Sequence, residues 1–339
     1  KSLFHDGINQ MWVGTNEGLR RYDGAVFSTY SLRELSAKKT TAIIEDDQNR
    51  IWVGTTSGIR ILREDGIQET DMLAELPGEP IEYLFQSRGE GTWIGTPLGV
   101  YQYHNGKLKN FLKSSFAQDG KPETDNQSPV VKASLVDSSY VRSIYQDREG
   151  AIWISVVDGL LRFKRGDISK LTTSEGLSAS QINMVFEDSN RRLWVATANG
   201  ISRYNGTSFT NYTTEDGLPS NWINDIVEAP DGRIWIATTQ GVSAFDGTKF
   251  VNLRKRDGLS GDQAKSFFLS HDGTVWINTE SGLTYVTGDS IKHHTIVDGL
   301  PSNKVNKMGQ SRNGLIWFAT DEGLSCYDGS TTQNLLKRD

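Results

Sequence analysis

A single cysteine, Cys326, stands among 339 residues, so no intrachain disulfide can brace the fold. Long apolar runs are missing as well: none approaches the roughly 18–20 residues that would cross a bilayer as a helix. Nor is there a basic run. With 36 Lys and Arg against 42 Asp and Glu the net charge is −6, which excludes a phosphate-backbone partner such as nucleic acid. The five histidines, His5, His104, His271, His293 and His294, show no metal-ligand spacing, and His293 and His294 would point to opposite sides of a strand. A Gly-rich phosphate loop, a nucleophile elbow, a Cys/His cluster and a Ca²⁺-loop pattern are all lacking. No cofactor, no metal site and no catalytic set is therefore expected. The opening residues, Lys1 to Asp6, do not form a signal peptide.

What the chain does have is a repeat. Tryptophans fall at Trp12, Trp52, Trp93, Trp153, Trp194, Trp235, Trp276 and Trp317, a period of 40 or 41 with one interval of 60. Two positions after each Trp the residue is small (Gly14, Gly54, Gly95, Ser155, Ala196, Ala237, Ala319), with Asn278 the larger exception. Six positions after each Trp stands a glycine, as at Gly18, Gly200 and Gly323, where a hairpin requires positive φ. Each unit reads as four short strands. An apolar run such as Gln181–Asp188 comes first, then an Asp- and Gly-bearing turn, then the Trp strand. The third strand ends in Tyr22-Asp23-Gly24 or its equivalent, and the fourth is a mixed outer edge such as Phe250–Leu253.

Such a unit cannot bury both faces alone, so the copies must pack radially. The expectation is an all-β, eight-bladed β-propeller of four-stranded antiparallel blades. It should form a single domain over residues 1–339, with an inserted loop at about 113–139. Each blade is one contiguous stretch, so blades one and eight should close the ring by packing. Since Ser2–Asp6 aligns with Ser143–Asp147, the chain reads as a segment excised from a longer protein, or as one trimmed of flexible ends.

The phrase W-[VI]-[GA]-T-x-x-G-[LIV], followed by Y-[DN]-G, resembles the two-component regulator propeller repeat over the whole chain. The linker Asp216-Gly217-Leu218-Pro219-Ser220-Asn221, repeated at Asp298–Asn303, strengthens the resemblance. It implies a sensor part of an extracytoplasmic signalling protein, periplasmic or extracellular, in a family often linked to saccharide sensing.

Propeller topology places the linkers into each first strand, and the hairpins between strands two and three, on one variable face. Trp222 lies there, where other copies carry Lys39, Pro80, Tyr140, Gln181, Gln263 and Lys304; it would either stack on a sugar ring or plug the channel. Two positions on come Thr41, Glu82, Arg142, Asn183, Asn224, Lys265 and Asn306, which line either a ligand funnel or a water-filled channel. Pairing of Glu82 with Asp158 or Glu280 is the arrangement a hydrolase would need. The ligand-binding candidates are Trp222, Tyr140, Arg142, Asn224, Lys265, Asn183 and Lys39. The reading is a binding module for a small polar ligand such as an oligosaccharide, with no membrane insertion. The alternatives are a protein-interaction platform, with a protein partner or a dimer, and, behind it, a propeller lyase or hydrolase.

Overall fold

In the computed structural model the repeat becomes eight four-stranded antiparallel sheets, each with its strands in chain order. All residues are described except 1, 16–17, 32–34, 36–38, 64–65, 69–75, 77, 98, 114–140, 289 and 338–339. The expected inserted loop, and Tyr140 with it, therefore lie outside the described residues apart from Lys113, which ends a strand. Blade 1 comprises Ser2–His5, Met11–Thr15, Gly18–Tyr22 and Phe27–Ser31. Blade 6, a typical copy, comprises Ile223–Glu228, Ile234–Thr238, Gly241–Phe245 and Phe250–Leu253. Neighbouring blades touch along their first strands, which line the centre of the ring.

The Trp-bearing strand is buried on both faces, as its β-branched and aromatic composition demands. Its tryptophan fills the space between two blades. Trp194 and Ile201 pack against Ile226, Ile236 and Phe245 of the next blade. The small residue two positions later lets the inner strands close up. A Cβ on Gly14 would stand 2.2 Å from Ser2 Oγ and 2.7 Å from Thr40 Oγ1 of blade 2. Asn278 fits at this position by donating from Nδ2 to Val305 O at 2.9 Å. At the hairpin that follows, Gly200 has φ 93°, and a Cβ there would come within 2.3 Å of Tyr212 O.

The indole N–H is the polar problem of so buried a ring, and the chain solves it six residues upstream. Asp6, Asp46, Asp147 and Asp188 accept from Trp12, Trp52, Trp153 and Trp194 at 2.7–2.9 Å. Ser311 accepts from Trp317 at 3.1 Å. Blade 6 has Ala229 at this position, and the Nε1 atoms of Trp93, Trp235 and Trp276 have no partner.

The linker phrase also has a physical reading. Asp216 accepts from Thr213 N at 2.8 Å in a capping box, and Leu218 is buried. Asn221 Oδ1 accepts from Thr214 N at 2.7 Å, which folds the linker back on itself.

At the opposite end of each first strand a Glu or Gln reaches the turn of the preceding blade. Glu45 accepts from Gly7 N, Gln146 from Arg88 N, Glu187 from Arg148 N, Glu228 from Ser189 N and Gln310 from His271 N, all at 2.6–2.8 Å. Gln86 of blade 3 instead donates to Asp47 Oδ1 at 3.0 Å, and two junctions lack a Glu or Gln at this position. Between blades 6 and 7 the position is Leu269. Between blades 8 and 1 it is His5, which instead meets Asn9 Oδ1 at 2.9 Å. Closure of the ring is packed by Met11, Val13, Leu3 and Tyr22 against Trp317 and Leu324.

Candidate functional site

The mouth of the ring is shaped by a recurrent β-bulge. In blades 2, 5, 6, 7 and 8 the register between the first two strands slips by one residue, and the unpaired residues are Thr41, Asn183, Asn224, Lys265 and Asn306. A bulge frees a side chain from the pleat and re-aims it, often beside a site. In blades 3 and 4 the matching residues, Glu82 and Arg142, are anchored through their backbone N–H to Gly95 O at 2.9 Å and Ser155 O at 3.0 Å.

Three of these side chains come together. Glu82, Arg142 and Asn183, with Val141, line a cavity of about 440 Å³ on the variable face. Arg142 Nη1 donates to Asn183 Oδ1 at 3.2 Å, and Asn183 Nδ2 donates to Ile223 O at 2.8 Å. The guanidinium thus shares the cavity with the Glu82 side chain.

The other expected site residues are elsewhere. Trp222 is 42 % exposed and does not line this cavity; its backbone N–H donates to Ser220 Oγ at 3.2 Å. Asn224 donates to Ala264 O at 2.6 Å, so part of its amide joins blades 6 and 7. Lys265 and Lys39 are exposed. Neither expected partner for Glu82 is available for acid–base work. Asp158 pairs with Lys170, and Glu280 accepts from Asp262 N at 3.1 Å and Gln263 N at 2.8 Å.

One residue of the channel escaped sequence reasoning. Asp225 follows the bulge of blade 6 and accepts from Ile226 N at 2.8 Å and from Phe267 N of blade 7 at 2.7 Å. Burial pushes its carboxyl up to about 6, opposed by those two hydrogen bonds and by Lys307. The signal was present: ten residues before each Trp, only blades 6 and 8 carry a charge, Asp225 and Lys307.

None of the histidines lines the cavity: His5, His104 and His293 lie on strands and His271 in an exposed turn. His294 lies among Trp276, Phe318 and Tyr327, and burial pulls its pKa down. Among the described residues no three His, Cys, Asp or Glu side chains are grouped to hold a metal.

Four segments, 34–57, 134–158, 176–199 and 217–240, match the model of the two component regulator propeller. No curated protein matches the chain. Among solved structures it is similar to the extracellular domain of a protein described as a hybrid two component system of B. thetaiotaomicron, with 20% identity and a TM-score of 0.58. That likeness covers 98% of this chain and 51% of the other, so the chain spans about half the length of that structure. PorZ, a surface component of the type-IX secretion system of Porphyromonas gingivalis, gives 13% identity and a TM-score of 0.60, over 95% of this chain and 52% of that one. The virginiamycin B lyase of Staphylococcus aureus gives 15% and 0.55, over 83% of this chain and 91% of the lyase. At these identities the likenesses establish the fold alone.

Proposed function

The chain is a two component regulator propeller, and from that premise we propose that it is the ligand-binding module of an extracytoplasmic signalling or surface protein. The ligand is a polar small molecule of the saccharide class, taken on the variable face. The observation that carries this reading is the cavity between Glu82, Arg142 and Asn183. It offers a cation, a carboxylate and an amide, a set suited to hydroxyls and to the carboxylate of a sugar acid. The exposed indole of Trp222 supplies a flat apolar surface on the same face. Periplasmic or extracellular placement is carried over from the similar structure described as an extracellular domain.

A thermal-shift panel of oligosaccharides and sugar acids tests the proposal. A ligand at 100 times its Kd adds roughly 2.7 kcal/mol of stability. The shift should vanish in Arg142→Ala, whose side chain is exposed and whose loss should leave folding intact. A silent panel would move the assignment to a protein partner or a second copy of the chain. That second reading is favoured by Val157, Trp222, Ile296 and Val297, large apolar residues exposed in the loops of this face.

A further inference from the structure

On the face opposite the mouth, the turns between strands three and four share one design in four blades, and blade 4 is among those that depart from it. In blades 1, 5, 6 and 8 the turn begins with Asp23, Asn205, Asp246 or Asp328, whose side-chain oxygen accepts the backbone N–H two and three residues on. Glycine follows each of them. In blade 4, between strands Gly159–Lys164 and Asp167–Leu171, the same two positions are Lys164 and Arg165, with Arg165 at φ 52°. Two cations stand where the sister turns have an acid or an amide and a glycine.

These cations do not stand alone. Arg162 pairs across the hairpin with Ser169, and Lys164 with Asp167. Together with Arg165 they line a groove of about 270 Å³. Arg162 lies over the ring of Trp153, 5.2 Å from its centroid, which fixes the guanidinium; its Nε is buried and has no hydrogen-bond partner. One rim acid, Glu149, meets Lys164 at 2.5 Å. The groove thus holds three cations, a hydroxyl and one lining carboxylate, Asp167.

We propose that this groove is an anion site for a tetrahedral oxyanion, a sulfate or phosphate group. Two cationic donors on one strand and a third in the turn that follows it, with the Ser169 hydroxyl on the adjoining strand, suit the several acceptor oxygens of such a group, whereas a carboxylate offers two. The group can arrive as the free anion or as the ester of a sugar.

Equilibrium dialysis with labelled inorganic sulfate and labelled phosphate, at low and constant ionic strength set with chloride, measures the binding. The double variant K164D/R165G rewrites the turn as Phe-Asp-Gly, the sequence that blade 6 already folds at Phe245-Asp246-Gly247. The native chain should bind one anion, and the variant should bind it at least roughly tenfold more weakly with an unchanged thermal midpoint. A monosaccharide sulfate that displaces the label better than inorganic sulfate assigns the group to a sugar. Equal displacement assigns it to the free anion. No binding of either anion by the native chain, or equal binding by the two proteins, overturns the proposal.

Discussion

Asp188→Ala measures how far the propeller depends on its buried indoles. The Asp188 carboxylate takes three donors: Arg192 N at 2.9 Å, Arg192 Nε at 2.6 Å and Trp194 Nε1 at 2.8 Å. The Arg192 side chain is partly exposed and can return to water, whereas Trp194 is fully buried and cannot. A hydrogen bond to a charged group contributes about 1.5–3 kcal/mol, and a stranded buried N–H costs about 1–3 kcal/mol. Allowing for Arg192 rewetting, the expected loss is about 3 kcal/mol. With an unfolding entropy of about 2.1 cal/mol/K per residue, that is a fall of about 4 °C in Tm for a chain of this length. Urea unfolding followed by tryptophan fluorescence and by circular dichroism reads the same loss through the midpoint, with the slope unchanged. Asp188→Ser should lose less, because Ser311 already serves Trp317 in this way. A loss below about 1 kcal/mol for Asp188→Ala would refute the reasoning and leave packing alone to account for the Trp position.

The converse change, Ala229→Asp, gives Trp235 the acceptor its sister rings have and should raise stability by about 1 kcal/mol in the same urea experiment; a loss would mean that blade 6 lacks room for the carboxylate. Glu228→Ala removes the acceptor of Ser189 N and Oγ, and should speed hydrogen exchange at the Ser189 amide at a cost of about 1–2 kcal/mol. Because burial lifts Asp225 from 3.8 to about 6, the folded chain keeps a proton that the unfolded chain has released between those values. Stability therefore falls as pH rises through that window, by roughly 3 kcal/mol in all. Urea midpoints at pH 4, 5, 6 and 7 should show this slope, and Asp225→Asn should flatten it. Trp222→Ala should change stability by less than about 0.5 kcal/mol while weakening saccharide binding; equal losses in both would make Trp222 a packing residue.

The blade was legible because its determinants are local. Strand periodicity, the hairpin Gly200, the small Gly14 and the contiguous ring closure each depend on residues close in sequence or on one repeated packing position. The Asp188–Trp194 bond spans six residues and shows as a spacing once the pair is known. The site was less legible. That Asn183 and Asn224 stand out from the pleat follows from a register slip, a property of two paired strands that neither strand's composition displays. The sequence drew attention to Trp222 because it broke the repeat, whereas the cavity formed around Glu82, Arg142 and Asn183 of blades 3, 4 and 5. Which mouth residues converge depends on inter-blade geometry. A similar limit hid Asp225, whose carboxylate reaches blade 7.

The carboxylate and amide reach from one first strand to the preceding turn works as a row of rivets, and the row is broken between blades 6 and 7 and again where the chain's two ends meet. Because every blade is sewn from its own continuous thread, that unriveted seam can part without tearing a sheet. A circular permutant that joins the present ends and opens the chain between blades 5 and 6 would move the seam to a riveted junction. There the Glu228–Ser189 contact would have to do the work of the lost covalent link. The ring's gape, and with it the fit of anything seated in its mouth, is then governed by which seam is left open.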